Sequence, residues 1–179
     1  AFHVQRFVVL DDRDRAQGIE RARGCFDGLA EQLESRDRQE LARLPRVVAW
    51  LEKERPDVLC MQETKVEDEG FPREPFEELG YQIATFGQKT YNGVAILARH
   101  RIESVVRGIE DGLEDFEEAR VIAATVGDVM LLNLYVVNGQ EVGLERYFYK
   151  LEWLARVRKL IAERFDMGEK VVVAGDFNI

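Results

Sequence analysis

The sequence contains few of the residues that build disulfide scaffolds, and it lacks long apolar runs. Its 179 residues include two cysteines and two histidines. Two cysteines do not form a disulfide framework, so a reducing cytoplasm is the expected compartment. No apolar run approaches the ~20 residues that a membrane helix needs. The first six residues lack a basic region followed by an apolar stretch, so we predict no secretory signal and no membrane partner.

An excess of positive charge is also missing. The formal net charge is −9, which argues mildly against binding to nucleic acid. The imbalance is local, because residues 51–120 hold seventeen acidic and nine basic side chains. Much of it lies in two predicted loops, residues 67–69 and 110–118. A run of charge is usually a solvated face, so a local basic surface for DNA is still compatible with this composition.

The pattern of apolar residues predicts an α/β fold built in layers. Gly127-Asp128 is typical of a hairpin turn, and Cys60 is predicted to be a small core residue. One stripe of the last helix is predicted to be apolar, comprising Leu151, Leu154, Val157, Leu160 and Ile161. Strands are predicted at residues 7–10, 57–62, 80–86, 92–97, 119–126, 129–136 and 170–174, and helices at residues 19–44, 45–54 and 147–165.

Polar residues follow three of the predicted strands directly. The three segments are Gln62-Glu63-Thr64-Lys65, Asn138-Gly139-Gln140 and Gly175-Asp176-Phe177-Asn178. A carboxylate at the end of a strand is a suitable ligand for a hard cation such as Mg²⁺. A neighbouring amide or tyrosine hydroxyl can orient a phosphate oxygen. Taken singly, each of these segments is more simply explained by a strand that becomes polar as it leaves the core.

Taken together, the amino-acid sequences of four segments resemble the exonuclease III / apurinic endonuclease family of metal-dependent phosphodiesterases. The segments are residues 55–65, 87–97, 134–140 and 173–179. The strings Gln-Glu-Thr-Lys and Gly-Asp-Phe-Asn-Ile are specific for the endonuclease/exonuclease/phosphatase superfamily. Tyr-Asn-Gly-Val-Ala-Ile and Tyr-Val-Val-Asn-Gly resemble its DNA-repair branch, and they argue against the superfamily's RNA, inositol phosphate and sphingolipid substrates. The resemblance runs from about Leu44 to residue 179.

This resemblance implies roles for particular residues. Glu63 would be the main ligand of Mg²⁺, or of Mn²⁺ in its place. Asp176 would orient or activate the attacking water, or protonate the leaving group. Asn178 would position the scissile phosphate, and Tyr135 would touch that phosphate or lie beside the leaving oxygen. The DNA-binding face would comprise Lys65, Tyr91, Asn92, Arg120, Asn138 and Lys150.

The implied substrate is duplex DNA that carries abasic or 3′-blocked sites, as in base excision repair. We expect Glu63 and Asp176 to lie at the edge of a single sheet, where they can share a hydrated divalent ion. Simpler interpretations remain open for three residues. Asn92 could serve only as part of a turn, Tyr135 only as a strand aromatic, and Lys150 only as a solvated helix residue.

The sequence departs from the family pattern in two places. The family's first strand motif, Trp-Asn-Val-Asn-Gly, is replaced at residues 34–40 by a charged segment. We therefore predict an N-terminal segment of unknown origin at residues 1–43 and the N-terminal half of a nuclease domain at residues 44–179. The family's second half brings the other sheet and an Asp–His pair, and neither His3 nor His100 matches that histidine. The expected fold is thus half of a two-sheet sandwich with flanking helices, with one sheet missing and an apolar face exposed.

Three arrangements would cover such a face. The chain could be a fragment whose remainder lies elsewhere, or it could associate with itself or with a complementing C-terminal half. In the third arrangement the N-terminal segment is a substitute layer, in which residues 7–10 replace the lost strand and Asp11 or Asp12 approaches the metal. Two functions follow: a magnesium-dependent abasic-site endonuclease and 3′-to-5′ exonuclease, or a truncated, non-catalytic half-domain.

Overall fold

The computed structural model describes residues 6–10, 43–113, 118–165, 168 and 170–179. These residues form two four-stranded sheets. The first sheet has the order β1-β2-β4-β3 with antiparallel neighbours throughout. The second has the order β5-β6-β7-β8, in which only the β7–β8 pair is parallel. The strands are β1 (Arg6–Leu10), β2 (Val58–Gln62), β3 (Gln82–Phe86), β4 (Val94–Ala98), β5 (Ile102–Arg107), β6 (Val121–Val126), β7 (Val129–Tyr135) and β8 (Lys170–Asp176).

Helices cover the outer faces of both sheets. Helix α1 (Arg43–Glu54) buries Val47 and Leu51 against the first sheet. A 3-10 turn at Asp68–Gly70 and the short helix α2 (Glu74–Glu78) follow β2. Helix α3 (Glu145–Arg164) packs on the second sheet. The α/β layered fold predicted from the sequence is confirmed.

The expectation that one sheet is missing is wrong. Strands alternate their side chains between two faces, so Leu59 and Met61 of β2 face α1, while Val58 and Cys60 face the second sheet. In the second sheet, the inward face of β6 and Leu131 of β7 pack against these residues. Strands up to Ala98 form the first sheet, and the strands from Ile102 onward form the second. The described strands therefore supply both layers, and each sheet covers the apolar face of the other.

Three elements differ from the predicted pattern. Strand β5 was not predicted, because the register shifts between Glu103 and Val106 and Ser104 takes a positive φ of 51°, which breaks the alternation of apolar residues. The apolar stripe of α3 is also displaced. Trp153, at 4% exposure, joins Val157 and Leu160 in the core, whereas Leu151 is 46% exposed. Leu151 belongs to the predicted apolar stripe but is exposed, because the helix is rotated so that Trp153 faces the second sheet. The short helix α2 was not predicted either.

Several other predictions are confirmed. Cys60 is fully buried, and burial raises the pKa of its thiol to about 12. Gly127 and Asp128 form the turn between β6 and β7. The predicted strand at residues 7–10 is β1, which pairs with β2 so that Arg6 lies opposite Gln62. Asp11, Asp12, Cys25 and most of the helix predicted at residues 19–44 lie outside the described residues. The domain boundary at residues 43–44 stays a prediction.

No helix in the described part of the chain combines the length and the apolar composition that a membrane span requires.

Gly175 is required where β8 passes β7. Its φ is +139°, and a Cβ there would lie 1.9 Å from the carbonyl oxygen of Leu134. Backbone strain and overpacking each cost about 1–3 kcal/mol, so Gly175→Ala is expected to lower the free energy of unfolding by about 2–4 kcal/mol. Urea denaturation measures this change. Gly127→Ala is the matched control, because its φ is +62° but nothing lies near the added Cβ. An equal loss in the two variants would contradict the steric argument.

Candidate active site

Three polar strand ends meet at one end of the sandwich. Glu63 follows β2 of the first sheet, whereas Tyr135 and Asp176 end β7 and β8 of the second sheet. Tyr135 and Asp176 are register partners in the parallel β7–β8 pair. We expected Glu63 and Asp176 to lie at the edge of a single sheet. That expectation is wrong, because the two residues belong to different sheets. Both are related through Tyr135, which contacts Glu63 of the first sheet and is the register partner of Asp176 in the second.

Tyr135 links the two sheets at this point. Its hydroxyl donates a hydrogen bond to Oε1 of Glu63. The other carboxylate oxygen, Oε2, lies 3.3 Å from Nζ of Lys65. Glu63 is 9% exposed and Asp176 is 4% exposed, so the two carboxylates are held largely away from bulk water. Burial places these charges where their interactions are stronger than in water.

The backbone of residues 63–65 is shaped by the loop before β4. Glu63 and Lys65 have positive φ values of 56° and 53°. The N–H groups of Thr64 and Lys65 donate to the carbonyl oxygens of Gly93 and Asn92, at 3.2 and 2.9 Å. A Cβ on Gly93 would lie 2.1 Å from Oγ1 of Thr64, so glycine permits this close approach. The Tyr-Asn-Gly string thus fixes the turn that presents Glu63.

The predicted DNA-binding residues of this loop have different environments. Tyr91 is 67% exposed at the surface. The side chain of Asn92 is buried, and its amide donates to Oε1 of Gln88 at 3.0 Å. The same Gln88 oxygen accepts the N–H of Ala119 at 3.1 Å. The structure therefore gives Asn92 a partner inside the protein, which agrees with its interpretation as a turn residue.

Arg120 is a buried cation beside Tyr135. Its guanidinium carbon lies 4.6 Å from the centroid of the Tyr135 ring, and Nη1 donates to the Tyr135 carbonyl at 3.3 Å. Nε donates to Oε2 of Glu118, which also lies 3.4 Å from Nη2 of Arg146. Glu118 was missed from the sequence because it ends an acidic run that we interpreted as a solvated loop. Arg120, two residues further along the chain, is the only local signal that could have identified Glu118.

The segment after β8 is fixed by four hydrogen bonds. The N–H of Asn178 donates to Oδ1 of Asp176 at 3.0 Å, and the side-chain amide of Asn178 donates to the Val136 carbonyl at 2.7 Å. The N–H of Val136 donates to the Asp176 carbonyl at 2.8 Å. Nζ of Lys150, on α3, donates to the Asn178 carbonyl at 2.7 Å. Asp176 and Asn178 are therefore held in one rigid turn.

Two predicted DNA contacts have protein partners in this region. Lys150 binds the Asn178 carbonyl, so the structure places it as a support for the turn after β8. Asn138 is exposed, and its Oδ1 accepts the N–H of Gln140 at 2.9 Å. The DNA-binding roles of both residues stay predictions.

Comparison with known proteins establishes the family. The model of the endonuclease/exonuclease/phosphatase family matches residues 26–179, which is most of the chain. The chain belongs to the endonuclease/exonuclease/phosphatase family. The resemblance found in the sequence motifs is thereby confirmed.

Relatives of this endonuclease/exonuclease/phosphatase protein include exodeoxyribonuclease III of Haemophilus influenzae, which is 34% identical over 143 residues. That match covers 77% of this chain and 53% of the relative. DNA repair nuclease APEX1 of Danio rerio is 33% identical over 135 residues, covering 73% of this chain and 42% of the relative. The chain thus spans about half the length, or less, of these curated relatives.

Solved structures of similar fold agree. An AP endonuclease from Archaeoglobus fulgidus superimposes with a TM-score of 0.73 at 39% identity, covering 76% of this chain and 52% of that one. A 3′ phosphatase, NExo, from Neisseria bound to product DNA hairpin gives a TM-score of 0.72 at 38% identity, covering 76% and 53%. The two-sheet architecture of the described residues is therefore that of the family.

The donor set at Glu63 fits a divalent cation of the kind expected for this family. Oε2 of Glu63 is buried and accepts no hydrogen bond, although Lys65 lies close to it. The described residues contain no group of three His, Cys, Asp or Glu side chains that could hold a metal ion. Magnesium commonly binds through one or two carboxylates and takes water and substrate phosphate as its other ligands. Glu63 supplies one such carboxylate.

Tyr135 is held neutral by its surroundings. Burial raises the pKa of its hydroxyl, and the hydrogen bond to Glu63 and the charges of Glu63 and Asp176 raise it further, against the opposing effect of Arg120. A folded-state pKa above the unfolded value of ~10 favours the protonated folded state. This contribution to stability is complete below about pH 10 and is lost as the pH rises towards the folded pKa.

We expect a measurable alkaline effect from this shift. Between pH 10 and pH 11, the free energy of unfolding of the wild-type protein should fall more steeply than that of Tyr135→Phe, by up to about 1.4 kcal/mol per pH unit. Urea denaturation at several pH values measures the difference. Val126→Ala is the control, because it lowers stability without removing a titrating group. Parallel curves for wild type and Tyr135→Phe would contradict the prediction.

Proposed function

We propose that this protein is a magnesium-dependent DNA-repair phosphodiesterase that cleaves duplex DNA at abasic sites and at blocked 3′ ends. The observation that carries the proposal is the convergence of Glu63, Tyr135 and Asp176 from two sheets at one end of the sandwich, with one Glu63 oxygen lacking a hydrogen bond. The relatives named exodeoxyribonuclease III and DNA repair nuclease APEX1, and the neighbour bound to a DNA hairpin, support DNA as the substrate.

Each residue has a chemical task in this proposal. Glu63 would hold Mg²⁺, which when bound neutralises negative charge that develops on the phosphate during cleavage. The Tyr135 hydroxyl stays protonated and can donate to a phosphate or leaving oxygen when a substrate displaces it from Glu63. Asp176 accepts the Asn178 N–H, and in this proposal its carboxylate would orient a water molecule or pass a proton.

Cations around the site would bind the DNA backbone without reading its sequence. Lys65 lies beside Glu63 and is partly exposed, whereas Arg120 is buried beneath the Tyr135 ring and paired with Glu118, so its contact with DNA stays a prediction. Tyr91 is exposed at the rim of the loop that supports Glu63. Contacts to phosphates supply affinity that falls as salt rises. Binding to duplex DNA should therefore weaken steeply between low and high salt, whatever the sequence.

The direct test is cleavage of a duplex oligonucleotide that carries one abasic site. We expect incision in the presence of Mg²⁺ and none after chelation by EDTA, with an undamaged duplex of the same sequence as control. The absence of Mg²⁺-dependent incision, both by the protein alone and after addition of the C-terminal half of an exodeoxyribonuclease III, would oppose the proposal.

A second candidate is a non-catalytic half-domain that needs a complementing polypeptide. One observation favours it: within the described residues β8 pairs only with β7, and Val173 and Phe177 beside this open edge are 38% and 41% exposed. An unpaired strand edge is a template for another strand. This candidate predicts no incision by the protein alone and incision once the complementing half is present. Activity of the protein alone would exclude it.

A further inference from the structure

A buried pair of amide side chains crosses the interface between the two sheets. Gln62 on β2 is 1% exposed and Asn133 on β7 is fully buried. Nε2 of Gln62 donates to Oδ1 of Asn133 at 2.7 Å, although the two residues are 71 positions apart in sequence. Nδ2 of Asn133 donates to the carbonyl oxygens of Met61 and Ala95, both at 3.0 Å. One side chain of the second sheet is thus bonded to both central strands of the first.

These amides lie in a layer that is otherwise apolar. Gln62 shares its face of β2 with Val58 and Cys60, and Asn133 shares its face of β7 with Leu131. A buried amide is costly unless its hydrogen bonds are made, and apolar residues fill such a layer without that cost. Stability therefore does not require polar side chains here, and their position in the layer suggests another role.

The orientation of Gln62 supports the assignment of this bridge. Its amide nitrogen donates to Asn133 Oδ1 and, at 3.3 Å, to the Cys60 carbonyl, so both partners are acceptors. The remaining atom, Oε1, is buried without a hydrogen-bond partner. The opposite orientation would set Oε1 against two acceptor oxygens. The side chain therefore leaves one acceptor unsatisfied in order to make the bond to the second sheet.

The bridge lies directly below the residues of the site. Gln62 immediately precedes Glu63, and Asn133 lies two residues before Tyr135 on the same face of β7. Apolar contacts between sheets are not directional, so they permit small shifts of one sheet along the other. Hydrogen bonds have a preferred length and angle, so they oppose such shifts. The bridge thus fixes the two strands at the point where their next residues must meet.

We propose that Gln62 and Asn133 are positioning residues, which set the separation and alignment of β2 and β7 so that the Glu63 carboxylate meets the Tyr135 hydroxyl beside Asp176. The catalytic consequence rests on the proposed function, whereas the structural consequence does not. Neither residue needs to touch DNA or metal. The expected effect of breaking the bridge is a displaced Glu63–Tyr135 pair in a protein that is still folded.

The first readout is independent of metal and of activity. The ¹³Cζ chemical shift of Tyr135 reports its hydrogen bond to Glu63, and Glu63→Ala supplies the shift without that bond. In Gln62→Met, which keeps the side-chain volume, we expect the shift to move at least halfway to the Glu63→Ala value. Val126→Ala, which weakens the same layer near the β6–β7 turn at the far end, should keep the wild-type shift. A folded Gln62→Met protein with the wild-type shift would overturn the proposal.

A second variant covers the case in which Gln62→Met does not fold. Asn133→Asp keeps the shape of the side chain and the acceptor for Gln62, but it removes the donor to Met61 and Ala95. The same movement of the Tyr135 shift is expected. The side-chain amide protons of Asn133 in the wild type should also be protected from hydrogen exchange. Rapid exchange of these protons would show that the bridge does not exist.

The second readout concerns the proposed chemistry. Loss of a group that orients a metal ligand commonly costs 10–100-fold in metal affinity or activity. We therefore expect Gln62→Met to bind Mn²⁺ about tenfold more weakly and to lower kcat at least about tenfold, with KM for abasic DNA unchanged. Val126→Ala should match the wild type in both. If the wild type neither binds Mn²⁺ nor cleaves DNA, the proposed function fails. The ¹³Cζ chemical shift of Tyr135 then still tests whether Gln62 and Asn133 position the Glu63–Tyr135 pair.

Discussion

Glu63→Gln is expected to lower the Mg²⁺-dependent rate of abasic-site incision by at least about 10³-fold, in a preparation that incises alone or with a complementing half. The substitution keeps the shape of the side chain and an oxygen that can accept the Tyr135 hydroxyl. It removes the negative charge that fits a cation at Oε2. The fold should therefore survive while Mn²⁺ binding is lost. Incision kinetics and Mn²⁺ titration of the same samples measure the two effects.

Glu67→Gln is the matched control for this experiment. Glu67 is an exposed carboxylate four residues further along the same loop, so its substitution changes the net charge by the same amount. It should leave incision within about twofold of wild type, because a single exposed charge is screened by solvent. An equal loss in both variants would show that Glu63 acts through general electrostatics. A Glu63→Gln protein that incises at the wild-type rate would remove Glu63 from the metal site.

Asp176→Asn is expected to lower kcat by about 10²–10⁴-fold, the range in which a positioned proton acceptor or donor contributes. An asparagine can still accept the N–H of Asn178 through Oδ1, so the turn after β8 should be retained. Affinity for abasic DNA should be unchanged or higher, because a negative charge near the phosphate is removed. Single-turnover incision gives the rate, and equilibrium DNA binding in EDTA gives the affinity.

Asp128→Asn provides the control at the other end of the second sheet. Asp128 lies in the turn between β6 and β7 and pairs with Lys170, at the end of the sheet opposite Tyr135. Removing its charge should leave kcat unchanged. A weaker affinity for DNA in Asp176→Asn, together with an unchanged single-turnover rate, would assign Asp176 to binding and would exclude it from the chemical step.

The strands and the residues at their ends could be predicted from the sequence because the signals are local. Val58–Gln62 is an apolar run bounded by Arg55-Pro56 and by a polar segment, and Lys170–Asp176 has the same form. The run in β2 is buried along its whole length, whereas the run in β8 is partly exposed, so it is the apolar composition of each run that identifies the strand. β5 was not predicted, because its bulge at Ser104 breaks the alternation of apolar and polar residues.

The pairing of those strands could not be predicted in the same way. Nothing in residues 94–107 shows that β4 ends the first sheet and that β5 begins the second, because the pairing partner of each strand lies far away in sequence. A missing sheet was expected because the second half of the family was thought to supply the other sheet, and the local sequence pattern could not correct that expectation. The same limit applies to α3, where the rotation that buries Trp153 depends on the second sheet below it.

The residues that support the site were also hidden from the sequence. Glu118 ends an acidic run, and only the arginine two residues later separates it from its neighbours, yet it accepts a hydrogen bond from Arg120 beside Tyr135. Lys150 was predicted from the family to face DNA, and the folded chain directs it to the Asn178 carbonyl. Asn133 interrupts an apolar strand, and only its partner Gln62, in the other sheet, explains it.

The sequence by itself determined the family, the chemical types available and their places at the ends of strands, because motifs and apolar runs are properties of neighbouring residues. The tertiary structure alone decided that Glu63 and Asp176 belong to different sheets, that Tyr135 joins them, and that an amide bridge fixes the strands below. These facts depend on contacts between residues about 70 positions or more apart. Such contacts form when buried layers pack and their polar groups must find partners across the interface.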